Sequence, residues 1–274
     1  MLLTLMRNEW RQLWRSFQLP ALALVLLFFA LSDPLITRYQ NELVKTFVAG
    51  QEIEIALPAP TPVQALTQFF GDVSQLGLFV LILVGMGIVA AEKENGLTGW
   101  MLTRPISRRA YLGAKIATLT LAVVALLAIG TTIAWAYTGS LLGTVPAGPL
   151  VWTLAGVAAY AILIVAFLVL ASTVARSPWS AGGLTMLVLF ANGLINALAR
   201  QSAIGRFLPY RLISNIPDIL TRANAGSAGV AGAGPGFADL WATTGPALVT
   251  SLLLAALLLA LAFASFAKQE ILNG

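Results

Sequence analysis

Long apolar runs dominate the chain, and six of them are long enough to cross a lipid bilayer as helices. About 20 consecutive apolar residues span the hydrocarbon core of a membrane. The runs cover approximately residues 18–37, 73–91, 112–137, 150–173, 180–199 and 246–266. The pattern therefore predicts an all-α integral membrane protein, with one six-span domain over residues 1–274.

The composition supports lipid as the main solvent of this chain. Of the 274 residues, 58% are hydrophobic and 10% are charged, whereas soluble domains carry about 25% charged residues. Cysteine and histidine are both absent, which excludes disulfides, thiolate chemistry and histidine-based metal or acid–base sites. Without these ligands we expect no metal site. We also expect no nucleic-acid partner, because the net charge of +5 fits basic loops next to a membrane.

The basic residues are divided unequally between alternate polar segments. One set holds ten of them: Arg7, Arg11, Arg15, Lys93, Arg104, Arg108, Arg109, Lys115, Arg176 and Lys268. The other set holds six over nearly twice the length: Arg38, Lys45, Arg200, Arg206, Arg211 and Arg222. Basic loops face the cytoplasm. The distribution predicts a multi-pass protein of the cell membrane with both termini cytoplasmic and with extracytoplasmic loops at 38–72 and 200–245.

The first 17 residues predict an amphipathic helix that lies along the inner leaflet. Arg7, Arg11 and Arg15 recur every four residues and therefore share a helix face. Trp10 and Trp14 belong to the apolar side, together with neighbouring leucine, methionine and phenylalanine. A plain topology signal would explain the arginines but not tryptophans at helical spacing.

The densest charge lies between spans two and three, in the stretch "AAEKENGLTGWMLTRPISRRAYLGAK" from Ala90 to Lys115. One charge at the centre of a membrane helix costs about 2.5–3.5 kcal/mol on insertion scales, so this stretch must leave the bilayer. Within it, Trp100, Met101 and Leu102 could form one apolar edge of a short helix. Such a helix is too short to be stable alone, so it must pack on a partner or rest on the membrane.

The same stretch resembles the first intracellular loop of ATP-binding-cassette (ABC) permeases of the type-two membrane-domain family. The resemblance rests on Glu92-Lys93-Glu94, Gly96, Leu102, "PISR" at 105–108 and "GAK" at 113–115. Leu97-Thr98 stand where the family usually has Thr-Leu. The basic N-terminal helix with Glu9, the six spans and the long segment before the last span add an architectural likeness.

The resemblance implies that the loop at 92–111 carries a coupling helix, which docks on a separate ATPase. The residues implied in this contact are Glu92, Glu94, Gly96, Trp100, Met101, Leu102, Pro105 and Arg108. It also implies an exporter with two ATPase subunits and a second membrane subunit, either an identical copy or a related paralogue.

The chain itself has no sequence for binding ATP. A P-loop needs Gly-x4-Gly-Lys-Ser/Thr, because backbone amides and a lysine together surround the phosphates. The chain has four lysines, and none of them follows a glycine. We therefore expect no cofactor in this chain and ATP-Mg in the ATPase partner.

Two other classes of function fit the sequence less well. A membrane enzyme without histidine would need an aspartyl site with two facing carboxylates, and Asp33 and Asp72 are the only aspartates near spans, each at a membrane boundary. An ATP-independent secondary transporter or channel usually carries ionisable groups at mid-membrane. The span centres contain almost none, which disfavours this alternative.

Span five carries two polar residues, Asn192 and Asn196, which are four apart and therefore share a helix face. Asparagines in a span can form hydrogen bonds between helices, worth about 0.6 kcal/mol on average. They can also line a transport pathway or the interface between two membrane subunits. The sequence leaves both roles open.

Overall fold

The computed structural model describes residues 2–48, 59–94, 107–199, 202–227 and 236–268. All regular secondary structure in these ranges is helical. Six of the helical segments are long and apolar enough to cross a membrane. The predicted all-α membrane fold is therefore confirmed.

The N-terminal helix is Leu2–Arg15, and it turns sharply into the first span. Phe17 lies at this corner with a φ of 59°, in the left-handed region. That conformation costs a residue with a side chain about 1–2 kcal/mol. The sharp corner lets the N-terminal helix pack against spans one and three.

Span one is the helix Gln18–Val48, with Pro34 inside it. The helix therefore continues through residues 38–48, the first part of the segment predicted to follow the span. The apolar pattern marks where lipid contact ends, whereas a helix can continue beyond the bilayer. A hydrogen bond of 2.8 Å from Gln64 Nε2 to Gln40 Oε1 joins this extension to span two.

Span two is a chain of segments rather than one regular helix. It comprises Pro62–Asp72, the π-helical turn Val73–Gly77, Leu78–Gly85 and Ala90–Glu94. Its first segment, 62–72, precedes the apolar run that predicts the span from about residue 73. Thr61 caps the helix by accepting a hydrogen bond of 3.2 Å from the Gln64 N–H, with Pro62 in the first turn.

Spans three, four and five follow the predicted segments closely. They are the helices Arg108–Leu141, Ala147–Val174 and Pro178–Ala199. Span four is the central helix, since 72% of its most apolar window is buried, against 22% for spans five and six. The exposed faces of spans five and six are available to lipid or to another subunit.

Between spans five and six the chain forms short helices. These are the 3₁₀ turn Ala203–Phe207 and the helices Arg211–Ser214 and Ile216–Ser227. Span six is Phe237–Lys268 with Pro246 inside it. The helix thus begins nine residues before the apolar run that predicts the span from about residue 246. Asp239 accepts a hydrogen bond of 3.1 Å from the Gly236 N–H at the true start.

Candidate functional site at the ends of spans two and three

A buried lysine organises the ends of spans two and three next to the charged loop. Lys115 lies in the second turn of span three and is 3% exposed. Its Nζ is 2.7 Å from Glu92 Oε1 and 3.0 Å from Glu9 Oε2. One ammonium therefore joins the end of span two to the N-terminal helix.

Glu92 receives further hydrogen bonds, so that both of its oxygens are occupied. Tyr111, one turn before Lys115 on the same face of span three, donates its hydroxyl hydrogen to Glu92 Oε2. Gln12 Nε2 of the N-terminal helix donates to Glu92 Oε1 over 3.4 Å. We call Glu9, Gln12, Glu92, Tyr111 and Lys115 the Glu92 cluster.

The Glu92 cluster contains two carboxyl groups and one ammonium group. Because these groups are largely buried, a charge left without a partner there would cost free energy. Burial raises the pKa of Glu9 above its ordinary value, and the nearby charge of Lys115 acts in the opposite direction. Breaking a buried ion pair by removing one partner typically costs 3–5 kcal/mol, because the other charge is left uncompensated. The cluster is therefore a strong connection only while it is complete.

Span six reaches the same end of the molecule. The Tyr111 ring stacks on Phe266, with ring centroids 6.0 Å apart and planes inclined by 18°. Arg108 at the start of span three donates to the backbone oxygen of Ala267 over 3.4 Å. Ser107 caps span three by accepting a hydrogen bond of 3.2 Å from the Ala110 N–H. The end of the charged loop is thus fixed to spans three and six.

The helix of span two is interrupted just before Glu92, at the turn formed by residues 86–89. Ser172 of span four accepts hydrogen bonds from the backbone N–H groups of Val89, at 3.1 Å, and Ala90, at 2.8 Å. The Ser172 hydroxyl also lies 3.3 Å from the backbone oxygen of Met86, to which it donates. One hydroxyl thus satisfies backbone groups that the interruption releases.

A second contact ties this end of span two to span four. Lys93 donates from Nζ to the backbone oxygen of Thr173. Gly85 allows the Leu168 side chain of span four to pack closely beside the interruption, because a Cβ there would lie 2.4 Å from Leu168 Cδ2 and the leucine would have to move. Neighbouring residues thus connect Glu92 to the N-terminal helix, to span three and to the central span four.

A cleft of about 180 Å³ opens beside the Glu92 cluster. Its walls include four members of the cluster, Glu9, Gln12, Glu92 and Lys115. Two small residues of span two, Gly85 and Gly87, also line it. Among the described residues, no group of three or more histidine, cysteine, aspartate or glutamate side chains could hold a metal ion.

Comparison with known proteins gives the family of this chain. The family model described as "ABC-2 family transporter protein" matches residues 3–271. The chain belongs to the ABC-2 transporter family. It is also 26% identical over 200 residues to the "Uncharacterized transmembrane protein YxlG" of Bacillus subtilis (strain 168), an alignment covering 70% of this chain and 77% of that protein.

Membership of the ABC-2 family makes the chain a multi-pass membrane transporter permease, and permeases of this family lack an ATPase of their own. Of the residues predicted to contact an ATPase, Glu92 is buried in the Glu92 cluster, Glu94 is exposed and Arg108 is half-buried. The others fall in 95–106, outside the described residues: Gly96, Trp100, Met101, Leu102 and Pro105.

The N-terminal helix of this ABC-2 permease has a third face besides its basic and apolar sides. Its arginines are exposed, and Trp10 and Trp14 are 39% and 58% exposed. Glu9 points instead into the protein. Two features of the sequence indicate this buried contact. Glu9 is the single acidic residue of the N-terminal helix, and Lys115 is a single charge within an apolar stretch.

The two asparagines of span five lie away from the Glu92 cluster. Asn196 is 5% exposed and Asn192 is partly exposed. Gly193 between them faces Tyr210, since a Cβ there would lie 3.6 Å from the tyrosine ring. The asparagines therefore belong to the end of span five that adjoins the short helices.

Proposed function

We propose that this ABC-2 permease is the membrane-spanning subunit of an exporter, driven through the loop at 92–111 by a separate ATPase. The observation that carries the proposal is the Glu92 cluster, because it fastens both ends of this loop together. The loop leaves span two at Glu92 and enters span three just before Tyr111, and these two residues share a hydrogen bond.

Joined loop ends have a mechanical consequence. A force on the loop cannot separate spans two and three without breaking the buried contacts of Glu92 with Tyr111 and Lys115. The same lysine holds Glu9. Movement imposed on the loop would therefore carry the N-terminal helix and the near ends of both spans as one unit.

The movement also has a route to the centre of the bundle. Ser172 and Thr173, at the end of span four, hold the backbone after the interruption in span two and the side chain of Lys93. The interruption at 86–89 has no continuous helical ladder, so span two can change its angle there. A displaced loop would thus act on span four, the most enclosed helix.

The proposed assembly has two ATPase subunits that bind ATP-Mg and a second membrane subunit, either identical or related. The loop faces the cytoplasm of the cell membrane, and both termini lie on that side. Span five leaves room for a subunit contact, since Trp179 is 74% and Phe190 is 72% exposed. In this assembly the partly exposed Asn192 borders the path between the membrane subunits, whereas Asn196 is buried and supports its position from within span five.

Purification of the tagged chain from its native membrane tests the proposal. A P-loop protein should copurify with the wild type, and the purified sample should hydrolyse ATP. The Arg108→Glu variant should lose the P-loop protein and the ATPase activity more readily than the wild type. Arg222→Glu, at an exposed site between spans five and six, is the matched control. Transport by the chain in vesicles without any ATPase would contradict the proposal and support a secondary transporter.

A further inference from the structure

A row of polar residues lies on the buried face of span one, near the end that is far from the Glu92 cluster. Asp33, Thr37 and Asn41 are four residues apart and therefore share a helix face. Asp33 is 2% exposed and Thr37 is fully buried, while Asn41 is partly exposed. Each has a buried oxygen without a hydrogen-bond partner in the described part of the chain: Asp33 Oδ2, Thr37 Oγ1 and Asn41 Oδ1. Because buried polar atoms normally have a partner, this row of oxygens points to a ligand.

Span three places another such oxygen at the same depth. Spans one and three run in the same direction and touch at Gly130, where a Cβ would lie 3.5 Å from Leu26 Cβ. Asp33 is seven residues beyond Leu26, and Thr138 is eight residues beyond Gly130. These are rises of about 10 and 12 Å along the two helices. Thr138 is buried, and its hydroxyl oxygen also has no partner among the described residues.

Buried hydroxyls elsewhere in the bundle are satisfied within their own helix. Thr153, Thr185 and Thr244 each donate to the backbone oxygen one turn earlier, over 2.8–2.9 Å. Thr37 and Thr138 do not form this bond. Their hydroxyl oxygens therefore stay available to a ligand.

The Asp33 carboxyl group brings negative charge to this set of oxygens. Among the described residues, both salt bridges belong to Lys115, and Arg38, the basic residue nearest to Asp33 in the sequence, is exposed. Pro34 has no N–H, so the backbone oxygen of Ala30 also loses its usual partner in the helix. A buried carboxylate must be paired, bound to a cation or neutralised, and the surrounding oxygens supply further ligands for a cation.

We propose that Asp33, Thr37 and Thr138 form a binding site for one alkali cation, Na⁺ or K⁺, which joins span one to span three. Asp33 Oδ2 balances the charge of the ion, and the two hydroxyl oxygens and water complete its ligands. Asp33 and Thr37 are about 6 Å apart along the helix, and their oxygens do not bond to each other. An ion held about 2.3–2.6 Å from each oxygen, as in Ca²⁺ sites, bridges oxygens up to about 5 Å apart. Asn41, one turn further out and partly exposed, marks the entrance.

The ligand set favours an alkali cation over a proton or Ca²⁺. A proton on Asp33 would provide one donor and leave the other buried oxygens without partners. Ca²⁺ takes about six to eight oxygen ligands, whereas the one carboxylate of this set balances a single positive charge. The site lies far from the loop proposed to contact the ATPase, so its test needs no ATP.

Thermal unfolding of the full chain in lipid nanodiscs, at one alkaline pH and constant ionic strength, tests the site. NaCl or KCl should raise the unfolding midpoint above that in N-methyl-D-glucamine chloride, because a ligand of the native state stabilises it. Asp33→Asn should abolish this rise. Thr37→Val should increase the half-saturating salt concentration about tenfold or more, since a contact with a charged group contributes at least that factor. Asp218→Asn, which changes an exposed acid, should respond as the wild type does.

Equilibrium binding of radioactive Na⁺, and of Rb⁺ as a substitute for K⁺, gives a second reading on the same samples. At least one of these ions should bind to the wild type at one ion per chain. If Asp33→Asn folds poorly, Thr37→Val and Thr138→Val test the site, because valine keeps the shape of threonine. The proposal is wrong if the wild-type midpoint is the same in all three salts, or if the variants bind the ions as the wild type does. It is equally wrong if Ca²⁺ at equal concentration raises the midpoint more than both alkali cations.

Discussion

Two tyrosines in the core of this permease occupy opposite situations, and the contrast shows what the Glu92 cluster contributes. Tyr111 and Tyr160 are 2% and 0% exposed. The Tyr111 hydroxyl donates to Glu92, whereas the Tyr160 hydroxyl has no hydrogen-bond partner among the described atoms. The partners of Glu92 are not evident from the sequence, because contacts with Tyr111 and Lys115 are set by how the helices pack and not by spacing along the chain.

Removal of single hydroxyls measures this difference. Tyr111→Phe keeps the ring stacked on Phe266 but removes a donor to a charged group, which is expected to cost about 1.5–3 kcal/mol. Tyr160→Phe removes a buried hydroxyl that forms no hydrogen bond among the described atoms, so the stability should stay the same or rise. Thermal unfolding in detergent should separate the two variants. Equal midpoints would mean that the Glu92 cluster does not stabilise the fold.

The pH dependence of stability reports on Glu9. Its raised pKa means that the native state holds the Glu9 proton more tightly than the unfolded chain, whose value is near 4.5. The stability contributed by Glu9 is therefore complete below pH 4.5 and falls as pH rises through the folded pKa. Glu9→Gln cannot titrate, so the wild-type midpoint should fall relative to this variant over that range. The exposed Glu42→Gln controls for loss of one charge and should run parallel to the wild type.

At the scale of elements, the apolar windows of the spans were predictable and their ends were not. Hydrophobicity placed span two from residue 73, yet its helix starts at Pro62, where Thr61 and Pro62 form a recognisable helix start. Similarly, the apolar run of span six begins near residue 246, whereas its helix begins at Phe237 and contains Pro246, which neighbouring helices allow inside a membrane helix. The interruption at 86–89 has no sequence signal beyond two glycines, because it depends on Ser172 from a distant span.

Ser172 provides the hydrogen bonds that the interrupted backbone of span two would otherwise lack. Ser172→Ala leaves the N–H groups of Val89 and Ala90 without their acceptor, at an expected cost of about 1–3 kcal/mol. Ser251→Ala is the matched control, because Ser251 is equally buried in span six and its hydroxyl bonds the Ala247 oxygen of its own helix. Hydrogen exchange of residues 86–90 should rise in the first variant and stay unchanged in the second.

For the whole molecule, different contacts hold the helices together at the two ends of the bundle. The Glu92 cluster ties the N-terminal helix to spans two and three, and the Gln40–Gln64 hydrogen bond joins spans one and two at the other end. The six-span fold followed from composition and hydrophobic runs alone. The cluster did not, since Glu9, Glu92 and Lys115 are distant in sequence and meet only in the folded chain.

Cysteine labelling determines which end faces the cytoplasm, and the chain has no cysteine of its own to interfere. Ser107 and Ser202 are both exposed, at opposite ends of the spans. Ser107→Cys should react with a membrane-impermeant thiol reagent only after the cells are opened. Ser202→Cys should react in intact cells. The reverse pattern would invert the proposed orientation.

The most direct test of the central claim is a distance measurement between the N-terminal helix and the start of span three. Spin labels at Arg11→Cys and Arg109→Cys occupy exposed positions on the two sides of the Glu92 cluster. In the complex purified with its ATPase, this distance should be identical in nucleotide-free and ATP-trapped states. The distance between the Arg109 positions of the two membrane subunits should change between the same states. The contrary result is an Arg11–Arg109 distance that changes with nucleotide while the Arg109–Arg109 distance between subunits stays the same. It would show that the cluster does not move as one unit.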